Sequence, residues 1–232
     1  MLPTRLCRLP RGKYWIGSDN LTNASPRHLR LLNADIWIDR QLVTWGDFEA
    51  FVCGGGYTND SLWKTVTGRP LPPEAIPESI DRRCDSLRAD ARASVVYERP
   101  AVMLWREMPA VGLSWFEAVA LCRFFNARMP FEAEWEAAVL KQELLASGPH
   151  AVIGRRQEWT LDRYASRYWR ADASVRGNEW NGDREVVIRG HADNEPAVGP
   201  SGRRPTDPAV GSVLRGFRRV WDHNPGDPGS SA

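Results

Sequence analysis

Two short runs near the start of the chain alternate in character. Tyr14-Trp15-Ile16-Gly17 reads as a strand, and in Leu31 to Asp39 the pair Ile36 and Ile38 flanks Trp37, as in a second strand with one buried face. The period then changes to that of a helix. Phe48, Phe51 and Val52 share a face, Thr44 is placed as its N-cap with Asp47 favourable in the first turn, and Gly54-Gly55-Gly56 ends it. Ser114-Trp115-Phe116-Glu117 is a capping box, predicting a helix to about Asn126. Met129-Pro130 interrupts, and a further helix is expected from Phe131 to about Leu145, closed by Gly148-Pro149. Gln157 to Leu161, Val186 to Gly190 and Gly216 to Val220 are strand candidates. Residues 57–110 show no sustained period; the prolines at 70–77 and the charged stretch Asp81 to Arg92 predict a long surface excursion. Strands dispersed among two or three helices and much loop define an α+β class.

Composition narrows this picture. Eleven Trp with 19 Gly and 17 Pro suit loops held down by aromatic plugs better than a helical bundle or a doubly wound sheet. The formal charge is +2, with Arg pairs such as Arg82-Arg83 and Arg218-Arg219 scattered among carboxylates. No element concentrates the positive footprint of a nucleic-acid binder, so no nucleic-acid partner is expected. No segment approaches the roughly 18 apolar residues of a membrane span. Met1 to Trp15 lacks the apolar stretch of a signal peptide, so the expectation is a cytoplasmic protein with no membrane partner. Cys7, Cys53, Cys84 and Cys122 are widely spaced, which argues against a disulfide framework. The expected organisation is one domain over residues 1–223 and a flexible tail over 224–232, where the sequence is NPGDPGSSA.

Eight segments, in order, resemble the formylglycine-generating-enzyme family, the sulfatase-modifying factors and their relatives. They are Gly12 to Ser18, Ser25-Pro26-Arg27-His28, Ile38-Asp39 through Phe51-Val52, and Pro109 to Ala118 (PAVGLSWFEA). Then come Arg128 to Glu136 (RMPFEAEWE), Glu158-Trp159-Thr160, Val187-Ile188-Arg189-Gly190, and Gly216-Phe217-Arg218. The resemblance implies a C-type-lectin-like scaffold with short strands. Physically the same residues make sense as scaffold: Trp135 and Trp159 supply buried area, while Glu134 and Glu136 can accept from loop N–H groups or pair with arginines. A scaffold match does not by itself license an activity.

The resemblance further implies an enzyme that oxidises a substrate cysteine with molecular oxygen on copper held by two cysteines, just past the Val187–Gly190 strand. Here the first of those positions carries Glu195, the second falls near Pro200, and the adjacent family Ser is Ala192. No cysteine lies beyond residue 122. Copper(I) prefers soft thiolates, so copper and formylglycine formation are not expected. The aromatic residue that lines the family site is replaced by Gln157. Cys122 sits where the family often has a structural cysteine; its partner position holds Arg219, which leaves a buried free thiol as the expectation. For calcium, the family's second ion, Glu158 is the remaining candidate ligand, but the family Asn is Ala151 and Arg155 and Arg156 crowd the loop. The alternative is Glu158 paired with an arginine. The segment Val139 to Gln157 is short, so a second calcium loop is expected to be missing.

If residues 187–195 continue as a strand, His191, Asp193 and Glu195 project to one face. One His and two carboxylates could hold iron, manganese or zinc with a further ligand; the facial triad needs a second His, and His28, His150 and His223 are unassigned. A solvated polar loop ended by Pro196 and Gly199, or a contact with an organic ligand, are the alternatives. The candidate pocket is therefore His191, Asp193, Glu195, Gln157, Trp159 and Arg189. His28 reads as structural. Arg163 to Arg170 could line an anionic pocket, or present solvated Arg over buried Tyr164, Tyr168 and Trp169. Two functions follow. One is an accessory domain that binds a small molecule, protein or peptide through the faces at 57–110 and 191–212; the other is a divergent metal-dependent oxidase or tailoring enzyme.

Overall fold

The computed structural model describes residues 5–65, 67–97, 105–141, 144, 156–166, 182, 185–191 and 199–226, with the backbone course alone over 90–97. Among the described residues nine short strands form three sheets, accompanied by four α-helices. β1 (Leu6–Leu9), β4 (Ile36–Asp39) and β9 (Val220–Trp221) make an antiparallel sheet in the order β1-β4-β9. β2 (Gly12–Ile16) and β3 (His28–Leu32) form a hairpin. The order β7-β6-β5-β8 describes the third sheet: β7 (Arg203–Thr206), β6 (Val186–Gly190), β5 (Gln157–Arg163) and β8 (Arg215–Gly216). β8 runs parallel to β5, and the other pairings are antiparallel.

The predicted run Leu31 to Asp39 is two strands, not one. Asn33 to Asp35 turn the chain between β3 and β4, and the Asp35 carboxylate accepts from the Arg11 N–H at 2.8 Å to hold that turn. β1 and β7 carry no clear alternation and escaped the pattern reading. The expectation for 57–110 also needs correction. It contains α2 (Ile80–Tyr97), an 18-residue helix. Its Arg and Ala residues give helix propensity, but its mean hydropathy is low, so the thin apolar stripe of Ile80, Cys84 and Leu87 is easily passed over.

The two capping predictions coincide with helix starts. α1 (Trp45–Cys53) begins at Thr44, whose Oγ1 accepts from the Asp47 N–H while Asp47 Oδ2 accepts from the Thr44 N–H at 2.9 Å. Past its end the chain closes tightly: a Cβ on Gly56 would lie 2.2 Å from the Phe51 ring, so only glycine fits. α3 (Trp115–Phe124) begins with the reciprocal Ser114–Glu117 pair. Glu117 does more than cap. Its carboxylate also accepts from Arg83 of α2 at 2.7 and 2.5 Å and from the Tyr57 hydroxyl at 2.7 Å. One buried carboxylate thus ties together α3, α2 and the loop after α1.

α4 (Glu132–Leu140) is buried on every side from Glu132 to Ala138, including Glu132, Glu134 and Glu136. At 100° per residue, Glu132 and Glu136 share one face and Glu134 takes the opposite one. Glu134 grips Arg128 through two N–H donors at 2.7 and 2.8 Å. Glu136 accepts from Arg189 at 2.5 Å and from the Gly17 N–H at 2.8 Å, and Glu132 accepts from Arg203 at 2.8 and 2.9 Å. Such pairs add little net stability against an apolar substitute, but breaking one leaves a buried charge without compensation. The largest apolar core packs α1, α3 and one face of β5 and β6; a second lies between α4 and the β1-β4-β9 sheet.

Candidate functional site

The candidate site is the end of β5 and β6. In the antiparallel register Gln157 opposes Gly190, Glu158 opposes Arg189 and Trp159 opposes Ile188. Opposed residues point to the same face of a sheet and successive ones to opposite faces. The register therefore divides the predicted pocket. Gln157 and Trp159 lie on one face, and Arg189, two residues before His191, lies on the other.

On the first face Arg215, brought alongside Gln157 by the β5–β8 pairing, covers the site. Its Nε and Nη2 both donate to Gln157 Oε1 at 3.2 Å, and its Nη1 donates to the Val210 carbonyl at 2.9 Å. The guanidinium stands 4.2 Å from the Trp159 ring centroid, and the indole N–H donates to the Leu113 carbonyl at 3.1 Å. Glutamine at 157 is what makes this possible, since an aromatic side chain would offer Arg215 no carbonyl oxygen.

On the second face, Glu158 is fully buried and both its oxygens accept from Arg218, at 2.8 and 3.0 Å. Arg218 also donates to the Arg40 and Asp39 carbonyls. A bidentate guanidinium occupies the lone pairs that calcium would need. The residues present do not fit calcium at Glu158. Arg189 is also fully buried and donates to Glu136, to the Gly202 carbonyl at 3.3 Å and to the Pro200 carbonyl at 3.5 Å. These bonds tie β6 to α4 and to the loop before β7. His191 closes β6 and is buried; its Nδ1 has no hydrogen-bond partner among the described residues.

Asp193 and Glu195 lie outside the described residues, as do His150, Ala151, Arg155 and the segment 167–170. Among the described residues no three His, Cys, Asp or Glu side chains form a metal-binding group. Nearby, Tyr164 is half-buried with the Arg203 guanidinium 4.8 Å from its ring. His28 contacts the Pro26 carbonyl through Nδ1 at 2.8 Å, a local structural bond. Cys122 is a buried free thiol, and burial pushes its pKa up. Arg215 and Arg218 were missed as site residues. The signal for them was the clustered Arg215-Gly216-Phe217-Arg218-Arg219, since arginines around a buried strand must find carboxylates or carbonyls.

Residues 3–144 match the family model for the sulfatase-modifying factor enzyme 1-like domain. The chain belongs to this family. The formylglycine-generating enzyme of Bos taurus is 24% identical over 152 residues, 58% of this chain and 39% of that protein. The hercynine oxygenase of Mycobacterium tuberculosis is 28% identical over 149 residues, 64% of this chain and 32% of that protein. The chain thus matches well under half the length of either relative. Among solved structures, PvdO from Pseudomonas aeruginosa superposes with a TM-score of 0.65 at 17% identity, covering 93% of each chain. CarF superposes with a TM-score of 0.54 at 15% identity, covering 95% of this chain and 98% of that one. These likenesses establish a formylglycine-generating-enzyme-type α+β fold that extends beyond the matched residues to the β5–β8 sheet. No helix among the described residues is long and apolar enough to cross a membrane.

Proposed function

We propose that this chain is an accessory domain of the family, one that binds a small molecule or a peptide and does not form formylglycine. The carrying observation is the placement of its thiols. Cys7 is on β1, Cys53 ends α1, Cys84 is on α2 and Cys122 is on α3, so none lies on β5 or β6. The two positions at which the resemblance implies copper thiolates carry Glu195 and a residue near Pro200. A carboxylate is a poor ligand for copper(I). The closing of the Gln157–Trp159 face by Arg215 supports the same reading, because a guanidinium held by three hydrogen bonds fills space next to the family's site.

One observation favours a second reading, a divergent metal-dependent oxidase. His191 is buried and its Nδ1 has no hydrogen-bond partner among the described residues, and such atoms call for a partner. Asp193 and Glu195 follow it in sequence, and hercynine oxygenase is by name an oxygen-dependent relative. Elemental analysis of protein purified without chelator or affinity tag separates the two. The binding reading expects substoichiometric iron and copper, and oxygen uptake at background with a cysteine-containing peptide. Stoichiometric iron or copper that disappears in His191→Ala, together with oxygen uptake, would overturn it. Glu195→Ala is expected to leave ligand binding within a few-fold.

A further inference from the structure

A separate cleft, remote in sequence from β5 and β6, opens between α1, α2 and the 3-10 turn Trp105–Glu107. Its volume is about 450 Å³. That is roughly three times an engineered apolar cavity that holds benzene, and within the usual span of small-molecule sites. Trp45, Phe48, Val52, Leu87, Trp105 and Met108 supply apolar walls. Trp45 and Phe48 meet edge to face at 5.7 Å, while Trp105 stands 52% exposed at the rim.

The polar groups of the cleft ask for no charge. Glu49 is paired with Arg106, and Arg88 donates to Asp85 at 2.9 Å, so among the described residues the charged groups lining the cleft already have counter-ions. Cys53 and Cys84 also line the space, and burial pushes the Cys84 thiol up, which keeps it neutral. The Trp45 indole N–H is buried without an acceptor among the described residues. Apolar and aromatic walls, self-neutralised charges and the neutral Cys84 thiol select against ions and against strongly hydrated ligands.

We infer that this cleft is a binding site for an uncharged, largely apolar small molecule with an aromatic portion, stacked against Trp105 and reaching Met108 and the two thiols. It deepens the reading of the domain as a binding module by naming a place and a ligand chemistry. The two remain separable. Failure of the cleft leaves the metal analysis untouched, and stoichiometric iron with turnover would not alter the cleft's occupancy.

The test uses the neutral probe N-phenyl-1-naphthylamine and iodoacetamide. Fluorescence titration is expected to show one saturable site per chain, with the anionic analogue 8-anilinonaphthalene-1-sulfonate binding more weakly. Val52→Trp, which fills the cleft from α1, is expected to weaken the neutral probe about tenfold or more, with the melting temperature unchanged. A second measurement does not depend on that variant folding. Saturating probe is expected to slow alkylation of Cys84 in the wild-type chain about fivefold or more, read by peptide mass spectrometry. The proposal is overturned if no saturable binding occurs, or if the probe binds while Cys84 stays equally reactive. Equal preference for the anionic dye would overturn the assigned ligand chemistry. Concentration-dependent dimerisation that shields Cys84 with no probe bound would assign the cleft to a second copy of the chain instead.

Discussion

Glu158→Ala tests the pairing of Glu158 with Arg218 at the position where the resemblance implies a calcium ligand. In the native chain Glu158 and Arg218 are each fully buried, joined by two charge-assisted hydrogen bonds at 2.8 and 3.0 Å. Truncating the carboxylate leaves a guanidinium in the core that has lost its bidentate counter-ion while still donating to the Asp39 and Arg40 carbonyls. Breaking a buried pair in this way costs about 3–5 kcal/mol. For a chain of this size each kcal/mol lowers the melting temperature by about 2–4 °C, so the expected fall is about 6–20 °C. The double variant Glu158→Met/Arg218→Met is expected to recover most of that loss, because two apolar side chains of similar volume leave no unpaired charge. The assay is thermal unfolding by circular dichroism, with and without millimolar calcium or chelator. Neither addition should move the wild-type melting temperature. The reasoning is refuted if Glu158→Ala melts within about 1 kcal/mol of wild type, below the range for a broken buried pair. It fails equally if calcium stabilises the wild type but not the variant, since the carboxylate would then serve a metal rather than Arg218.

Three further outcomes are expected. Asp162 is buried beside Glu132, and burial and that neighbour raise its pKa well above the carboxylate range. The folded state therefore retains a proton that the unfolded chain releases above about pH 4, and the stability this confers is lost as pH rises through the raised value. Asp162→Asn, which keeps an oxygen for the Glu132 N–H, should flatten that decline and raise the urea midpoint at pH 8 relative to pH 5. Ser114→Ala removes the side-chain cap of α3 and should cost about 1 kcal/mol in urea unfolding; a loss within error would show that the Ser114 N–H, Arg83 and Tyr57 hold Glu117 without the hydroxyl. Native alkylation should modify Cys53, which is exposed, while Cys7 and Cys122 stay unmodified until denaturant is added.

Local signals carried the helix starts. Thr44 and Ser114 cap because hydroxyl and carboxylate three residues apart can satisfy each other's N–H groups with no help from distant chain. The same locality explains what was missed. β1 and β7 are four residues long and exist through their partners, and the apolar stripe of α2 is narrow because much of its length is charged. At the site, the candidates were close in sequence but belong to two faces of a sheet. Only the register between β5 and β6 tells Gln157 from Arg189, and register is a property of paired strands.

By sequence alone the family motifs, the lack of any cysteine beyond residue 122 and the alternatives for Glu158 were already determined, since each rests on residue identity and order. Which alternative Glu158 takes was decided by tertiary structure, because Arg218 is sixty residues away and reaches it only when β8 lies alongside β5. The same pairing stacks Arg215 on Trp159. The cleft between α1 and α2 likewise comes from packing. Its walls are drawn from residues 45–53, 84–88 and 105–108, and no local pattern records that three such segments will face one another.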